Sequence, residues 1–258
     1  MSRLHCLRAI LALLVTALPL AGCASYATPG RAADLKEVGL TPEARQRLSD
    51  PEVRFAMDTK PAAVFPAAIA SARIQAPGYQ PKTVQTFGQG AFVVVISRDV
   101  ETSEHFERLT RMPLVHGVAP LNRLLLPDSF KSDRDLRAAA ARLHADMLLI
   151  YTFDTVFEAN DKAAPLTVVT LGLFPTHNVR LATVASAVLM DTRTGYIYGI
   201  AEATHRDDTR ASAWSATSAV EESRLACEAK AFDKLVGELE RMWAGVVKQH
   251  AGARADTR

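Results

Sequence analysis

The chain has 258 residues, with 30 lysines and arginines against 28 aspartates and glutamates. Its first 22 residues hold Arg3 and Arg8 but no acidic residue, so the rest of the chain is balanced in charge. A balanced chain without a block of like charge offers no electrostatic argument for binding nucleic acid, which would need a basic face, and we expect no nucleic-acid partner.

The first 22 residues are predicted to be a secretory signal peptide. Arg3 and Arg8 give the segment a basic start, an apolar run follows from Ala9 to Leu20, and small residues precede Cys23. This order of features is typical of a signal peptide. The apolar run is well short of the ~20 residues that a helix needs to span a bilayer, so we expect the segment to be removed.

The residues at the exit of this segment, Leu20-Ala21-Gly22-Cys23, resemble the lipobox of bacterial lipoproteins. The resemblance implies cleavage between Gly22 and Cys23, a diacylglycerol on the Cys23 thiol and, usually, an acylated amine. Two or three acyl chains hold a protein stably on a membrane. With Ala24 as the next residue, the resemblance also implies the periplasmic face of the bacterial outer membrane. The alternative is an ordinary signal peptide with a cysteine at its exit.

Beyond the leader, we divide the chain into a lipidated tether with short helices at 23–63, a single α/β domain at 64–250 and a disordered tail at 251–258. In the tether, Asp50-Pro51-Glu52 predicts a helix start, because a capping residue precedes a proline and an early acid. Cys227 is the one cysteine of the domain, so no intramolecular disulfide is expected there. Its place beside apolar helix residues favours a buried, inert thiol over a nucleophile.

The first half of the domain is predicted to alternate strands and helices. Two strands and a helical segment are expected at Ala67–Gln75, Ala91–Ser97 and Val100–Arg111. Ser132, with Asp135 three residues later, forms a capping-box pattern at the start of a helix. Ala145-Asp146 then lead into the apolar run Met147–Tyr151, which is typical of a strand buried on both faces.

The second half is predicted to be strand-rich and to end in a long helix. Strands are expected at Leu166–Phe174, Val179–Met190 and Tyr196–His205, with a hairpin turn at Asp191–Gly195. The helix is expected at Ala211–Val247, where Leu225, Phe232, Leu239 and Val246 recur every seven residues. We interpret this stripe as the face of a helix that packs on a sheet. The alternative, a coiled coil, is less favoured. We therefore predict an α/β (α+β) fold, a mixed central sheet with a meander of C-terminal strands covered by a long C-terminal helix.

This order of elements behind a lipobox resembles the periplasmic domains of two families of envelope lipoproteins, the curli-secretion-channel and penicillin-binding-protein-activator families. The resemblance lies in the segment Ala145–Tyr151, the turn Asp191–Gly195 and the helix that contains Phe232 and Leu235. It is architectural and spans about residues 64–247. It implies an envelope lipoprotein but carries over no functional residue, because a shared fold does not establish a shared function.

The sequence contains no recognisable catalytic, metal or cofactor motif. It lacks a phosphate-binding glycine-rich loop, a nucleophile elbow and a pair of cysteines for zinc, so we predict no catalytic residue, no metal and no cofactor. His205, Asp208 and Ser212 are a weak candidate triad, and Asp208 fits better as a helix cap. The unusual polar segment Pro175-Thr176-His177-Asn178 is interpreted as a turn or, alternatively, as a contact loop for a partner.

Together these features predict a membrane-anchored envelope lipoprotein that acts as a non-enzymatic accessory or interaction module in assembly, secretion or stress response. Its partners would be the membrane, through the lipid, and a protein of the cell envelope, with homo-oligomerisation left open. One alternative is an anchored periplasmic hydrolase. Another is an oligomeric outer-membrane secretion channel, although Leu166–Phe174 lacks the alternation that barrel strands show.

Overall fold

The computed structural model describes residues 50–79, 84–160, 177–211 and 216–251. The helices in these ranges are α1 Asp50–Asp58, α2 Ser103–Thr110, α3 Asp133–Arg142 and α4 Ala216–His250, with a short 3-10 helix at Arg123–Leu125. The strands are β1 Ala67–Gln75, β2 Thr86–Phe87, β3 Gln89–Gly90, β4 Val93–Val95, β5 Val115–Pro120, β6 Ser129–Phe130, β7 Met147–Asn160, β8 His177–Asp191 and β9 Ile197–Ala211.

The main sheet is mixed and is built around β1. Its strand order is β2-β4-β1-β7-β8-β9, and β5 also pairs with β1. Strands β5 and β7 run parallel to β1, whereas β4, β8 and β9 pair antiparallel with their neighbours. Eight of the nine β1 residues are buried, as expected for an apolar strand covered on both faces.

One edge of β1 is shared by two different strands. The first part of β1, from Ala67 to Ser71, pairs with β5, and the last part, from Arg73 to Gln75, pairs with β4. The sheet therefore forks beside Ala72. A fork opens space between strands that would otherwise be hydrogen-bonded along their length.

The sheet lies between two helical layers, each over its own core. The first core includes Phe153, Phe232 and Trp243 and lies between the sheet and α4. The second includes Leu136 and Leu148 and lies between the sheet and α3. The predicted α/β class, with a mixed sheet covered by a long C-terminal helix, is confirmed. Within the described residues, no helix is long and apolar enough to cross a membrane.

The capping box at the start of α3 and the acidic residue before β7 both make the hydrogen bonds that start their elements. The Ser132 side chain accepts the Arg134 N–H, and the Asp135 carboxylate accepts the Ser132 N–H at 3.2 Å, so α3 begins as predicted. Asp146 donates its N–H to the Ala68 carbonyl at 2.8 Å and accepts the Ala68 N–H through its carboxylate at 3.2 Å. This pair of contacts joins β7 to β1 where the two strands meet.

The last strands are longer than the sequence predicts, and β9 replaces the predicted start of the helix. Strand β9 runs to Ala211 and pairs with β8 along its length, and α4 begins at Ala216. The polar segment 205–209 has the residue types of a helix cap, but its backbone pairs with β8. The pairing with a neighbouring strand decides the structure here, because strand formation depends on that neighbour. The predicted strand Leu166–Phe174 lies outside the described residues.

The hairpin turn between β8 and β9 is held by Asp191, which is fully buried. Its Oδ1 accepts the N–H groups of Arg193 and Thr194, as in an ordinary Asx turn. Its Oδ2 accepts the N–H groups of Ala62 and Ala63, at 2.6 and 2.7 Å, and the hydroxyl of Tyr198. The turn therefore also binds the segment that enters the domain from α1.

Replacement of Asp191 by asparagine is expected to cost about 1–3 kcal/mol at neutral pH, because an amide NH2 would face backbone N–H donors. Burial opposes ionisation of Asp191, but the donors from Ala62, Thr194, Tyr198 and Arg193 outweigh it and lower its pKa from 3.8. Its contribution is thus fully present above pH 3.8 and is lost as the pH falls through the lower folded-state pKa. Urea unfolding, measured from neutral to acidic pH, should show that the free energy of unfolding falls less steeply in Asp191→Asn than in the unmodified chain.

The matched control is Asp99→Asn, at an exposed aspartate. It should keep the acid dependence of the unmodified chain. If the free energy of unfolding falls equally steeply with pH in the unmodified chain and in Asp191→Asn, the Asp191 carboxylate does not have this stabilising role.

Candidate functional site

A cavity of about 340 Å³ lies at the fork of the sheet. Residues of β1, β4, the end of β5 and α2, together with Tyr151 of β7, form its walls. Its lining residues are Ser71, Ala72, Arg73, Gln85, Val94, Val95, Ile96, Ser97, Arg98, Glu101, Phe106, Pro120, Leu121, Asn122, Arg123 and Tyr151. A crevice beyond the carboxyl ends of parallel strands, where the pairing of the sheet changes, is a common place for ligands to bind.

The mouth of the cavity carries exposed cationic and polar side chains. Arg98, Asn122 and Arg123 are exposed and belong to the segments that follow β4 and β5. The Arg98 guanidinium lies 5.5 Å from the centre of the Phe106 ring, a cation–π distance that restrains it beside the opening. Two arginines thus flank one opening without an acidic side chain among the exposed lining residues.

The inner wall contains Arg73, whose side chain is only 2% exposed. Its Nη2 donates to Glu228 at 3.0 Å and to the Tyr79 hydroxyl at 3.2 Å, and its guanidinium lies 4.5 Å from the centre of the Phe153 ring. Its Nη1 is 3.8 Å from Glu101, beyond hydrogen-bond distance. Burial opposes its charge, but Glu228 and Glu101 outweigh burial and raise the pKa of Arg73.

Several buried polar atoms of this wall make no hydrogen bond within the described part of the chain. They are Ser71 Oγ, Arg73 Nε and Nη1, and Glu101 Oε2. All three residues line the cavity. A buried polar group without a partner costs about 1–3 kcal/mol, so such atoms call for a structural or functional reason.

Behind Arg73, a network of buried charges joins the sheet to α4. Glu228 also accepts Arg224 Nη1 and the Thr155 hydroxyl through Oε1. The fully buried Arg224 makes a bidentate pair with Glu221, at 3.0 and 2.7 Å. Burial opposes the charge of Arg224, but its contacts with Glu221 and Glu228 raise its pKa. The network fixes Arg73 from the side opposite the cavity.

Glu101 accepts a hydrogen bond from the Tyr151 hydroxyl at 3.0 Å. Burial and the neighbouring Glu101 carboxylate raise the pKa of Tyr151 well above 10.0, so the phenol stays protonated and remains the donor. One carboxylate oxygen of Glu101 thereby accepts a hydrogen bond, and the other has no partner in the part of the chain that the structure describes. The inner wall thus offers both donors and an acceptor.

A His–carboxylate contact occurs between α2 and α4, where His105 is buried and Asp233 is exposed, and His105 is not among the residues that line the cavity. His105 Nδ1 accepts the Thr102 N–H at 3.1 Å, and Nε2 lies 3.7 Å from Asp233. The first contact is a helix cap at the start of α2 and leaves the proton on Nε2. Burial lowers the pKa of His105, and Asp233 opposes this shift. The arrangement is explained by capping and by packing of α2 on α4.

The structure places two residues of the weak candidate triad within a strand. His205 and Asp208 lie within β9, opposite Thr183 and Arg180 of β8, instead of between a strand and a helix. Ser212 lies outside the described residues.

The other residues predicted to have a role are placed as follows. His177 and Asn178 begin β8 and pair with Ala211 and Arg210, so this half of the predicted partner loop is strand instead of loop. Pro175 and Thr176, like the predicted cleavage and lipidation residues Gly22 and Cys23, lie outside the described residues.

Cys227 is fully buried on α4, where its sulfur accepts the Thr183 hydroxyl at 3.3 Å. Burial raises the pKa of the Cys227 thiol, which disfavours the reactive thiolate. In the described ranges, no three His, Cys, Asp or Glu residues are grouped as metal ligands.

Arg73, Glu101 and Glu228 do not stand out in the sequence as site residues. One signal exists, because Arg73 is the single charged residue of the strand AAIASARIQ, and a charge inside an apolar strand must find a buried partner. The identity of that partner, 155 residues away on α4, depends on the tertiary fold.

No model of a known protein family matches this chain, and no curated protein matches it significantly. The function of the cavity is therefore inferred from its own geometry.

Proposed function

We propose that this chain is a lipid-anchored envelope lipoprotein whose α/β domain acts as a non-enzymatic binding module on the periplasmic face of the bacterial outer membrane. In this role it would serve an assembly, secretion or stress process of the envelope. The lipid on Cys23 supplies the membrane attachment, and the cavity at the sheet fork supplies the binding site.

The membrane attachment is supported by the leader sequence. A basic start, a short apolar run and Leu20-Ala21-Gly22-Cys23 follow one another in the order that lipoprotein processing requires. The chemistry needs a nucleophilic side chain at the last position, which Cys23 provides. Small residues before it give the peptidase access to the backbone.

The binding role is carried by one observation, the open cavity with two arginines at its mouth and unpartnered polar atoms in its wall. A hydrolase would be expected to place a His–carboxylate pair in such a cleft. Histidine is not found among the described residues that line this cavity. The support for the binding role comes from the two exposed arginines and the buried polar wall.

The anchor is tested by Cys23→Ala. This variant is expected to lose all palmitate labelling and to accumulate as an uncleaved precursor, because no thiol is left to accept the diacylglycerol. Metabolic labelling in a Gram-negative host, followed by mass measurement of the product, checks both effects. Cys6→Ala and Cys227→Ala are the matched controls and should label normally. Normal labelling of Cys23→Ala would refute the proposed anchor.

The role of the domain is tested by the native mass of the lipoprotein extracted in mild detergent, with co-purifying chains identified. A monomer in a defined complex with one envelope protein supports an accessory module. A closed homo-oligomeric ring would contradict it and favour the secretion-channel alternative.

A further inference from the structure

We propose that the cavity at the sheet fork binds a small hydroxyl-bearing oxyanion, a molecule that carries a carboxylate or phosphate group together with a hydroxyl group. The proposal deepens the binding role given above and rests on it. The oxyanion would lie at the mouth, between Arg98 and Arg123, and the hydroxyl would reach inward to the wall formed by Ser71, Arg73 and Glu101.

The charges around the opening select an oxyanion. Among the lining residues of the cavity, Arg73, Arg98 and Arg123 are cationic and Glu101 alone is anionic. The one acid is buried in the wall and bound to Tyr151, whereas two of the arginines are exposed at the mouth. Arginine presents a planar fork of N–H donors that matches carboxylate and phosphate groups.

The inner wall selects a group that both donates and accepts hydrogen bonds. Among the described residues, Arg73 Nη1 and Ser71 Oγ are donors that have no hydrogen-bond partner, and Glu101 Oε2 is an acceptor that has none. A hydroxyl group can satisfy both kinds of atom, but a second oxyanion would be repelled by Glu101. These atoms have almost no exposed surface, so binding of the hydroxyl group requires side chains of this wall to move.

The size of the cavity limits the ligand to a small molecule. Its 340 Å³ is at the lower end of the ~300–1,000 Å³ range of ligand pockets.

The test is isothermal titration calorimetry on the full lipoprotein in mild detergent, with three probes. Glycerol 3-phosphate and glycerate each carry one oxyanion together with a hydroxyl group, and they separate phosphate from carboxylate recognition. Glycerol carries the hydroxyl groups without the charge. We expect at least one of the first two to bind at millimolar concentration or below and glycerol not to bind.

Arg98→Ala and Arg123→Ala should each weaken binding of that probe by about tenfold or more, because each removes hydrogen bonds to a charged group. The matched control is Arg134→Ala, at an exposed arginine of α3 that is not among the lining residues. Its binding should be unchanged. All three substitutions are at exposed positions, so folding should be preserved.

Three results would overturn the proposal: no binding of either charged probe at millimolar concentration, equal binding of glycerol, or equal weakening by Arg134→Ala. The calorimetry does not depend on the lipid, so its outcome is separate from that of Cys23→Ala. Failure of the anchor would leave the ligand site standing, and failure of ligand binding would leave the anchor and the protein-partner role to be judged by labelling and native mass.

Discussion

Glu228→Gln is expected to lower the free energy of unfolding by about 3–5 kcal/mol, because it removes one charge from a buried ion network and leaves Arg73 without its closest carboxylate. Glu228 accepts hydrogen bonds from Arg73, Arg224 and Thr155 and is 2% exposed. When the charge of Glu228 is removed, Arg224 still has Glu221 as a carboxylate partner. The nearest carboxylate to Arg73 is then that of Glu101, at 3.8 Å. Urea unfolding followed by circular dichroism measures the change.

The control for this prediction is Glu222→Gln, which removes the same charge from an exposed position of the same helix. It should change the stability by no more than about 0.5 kcal/mol, as is usual for surface substitutions. If Glu228→Gln behaves like the control, water must reach the network and the two arginines cannot be as buried as the structure shows.

Phe232→Ala should lower the free energy of unfolding by about 3–5 kcal/mol, because it leaves a cavity at the centre of the core between α4 and the sheet. Phe232 is 1% exposed. Its ring lies 5.1 Å from the ring of Tyr151, 5.9 Å from that of Phe153 and 5.0 Å from that of His105. The melting temperature and the urea midpoint should both fall.

Phe232→Leu is the matched variant for this prediction, since it keeps an apolar side chain and most of the volume. It should cost clearly less than Phe232→Ala. An unchanged midpoint in Phe232→Ala would contradict the core role of the stripe on α4 and would place that stripe on an exposed surface.

The features that follow from neighbouring residues could be predicted from the sequence. The start of α3 at Ser132, the bounds of β1 and the turn at Asp191–Gly195 with Gly195 at φ 76° all agree with the structure. Each depends on contacts within a few residues, where capping, alternation and turn chemistry act directly. The apolar stripe that includes Phe232 likewise predicts its burial, because helical periodicity is local.

The candidate site could not be predicted in the same way. Nothing near Arg73 in the sequence indicates Glu228 as its partner, and nothing near Asp191 indicates that its carboxylate also binds the N–H groups of Ala62 and Ala63. The extension of β9 to Ala211 was hidden by polar residues that resemble a helix cap. In each case the deciding contact comes from a distant part of the chain.

By itself, the sequence determined the α/β class, the long covering helix, the capped start of α3 and the hairpin turn, because these depend on local patterns of apolar, capping and turn residues. Only the tertiary structure decided where the sheet forks, which buried charges meet behind Arg73, and that Arg98 and Arg123 flank one opening. Those features arise when β4 and β5 share one edge of β1 and α4 packs across the sheet. Such contacts join residues far apart in the chain, and local preferences do not specify them.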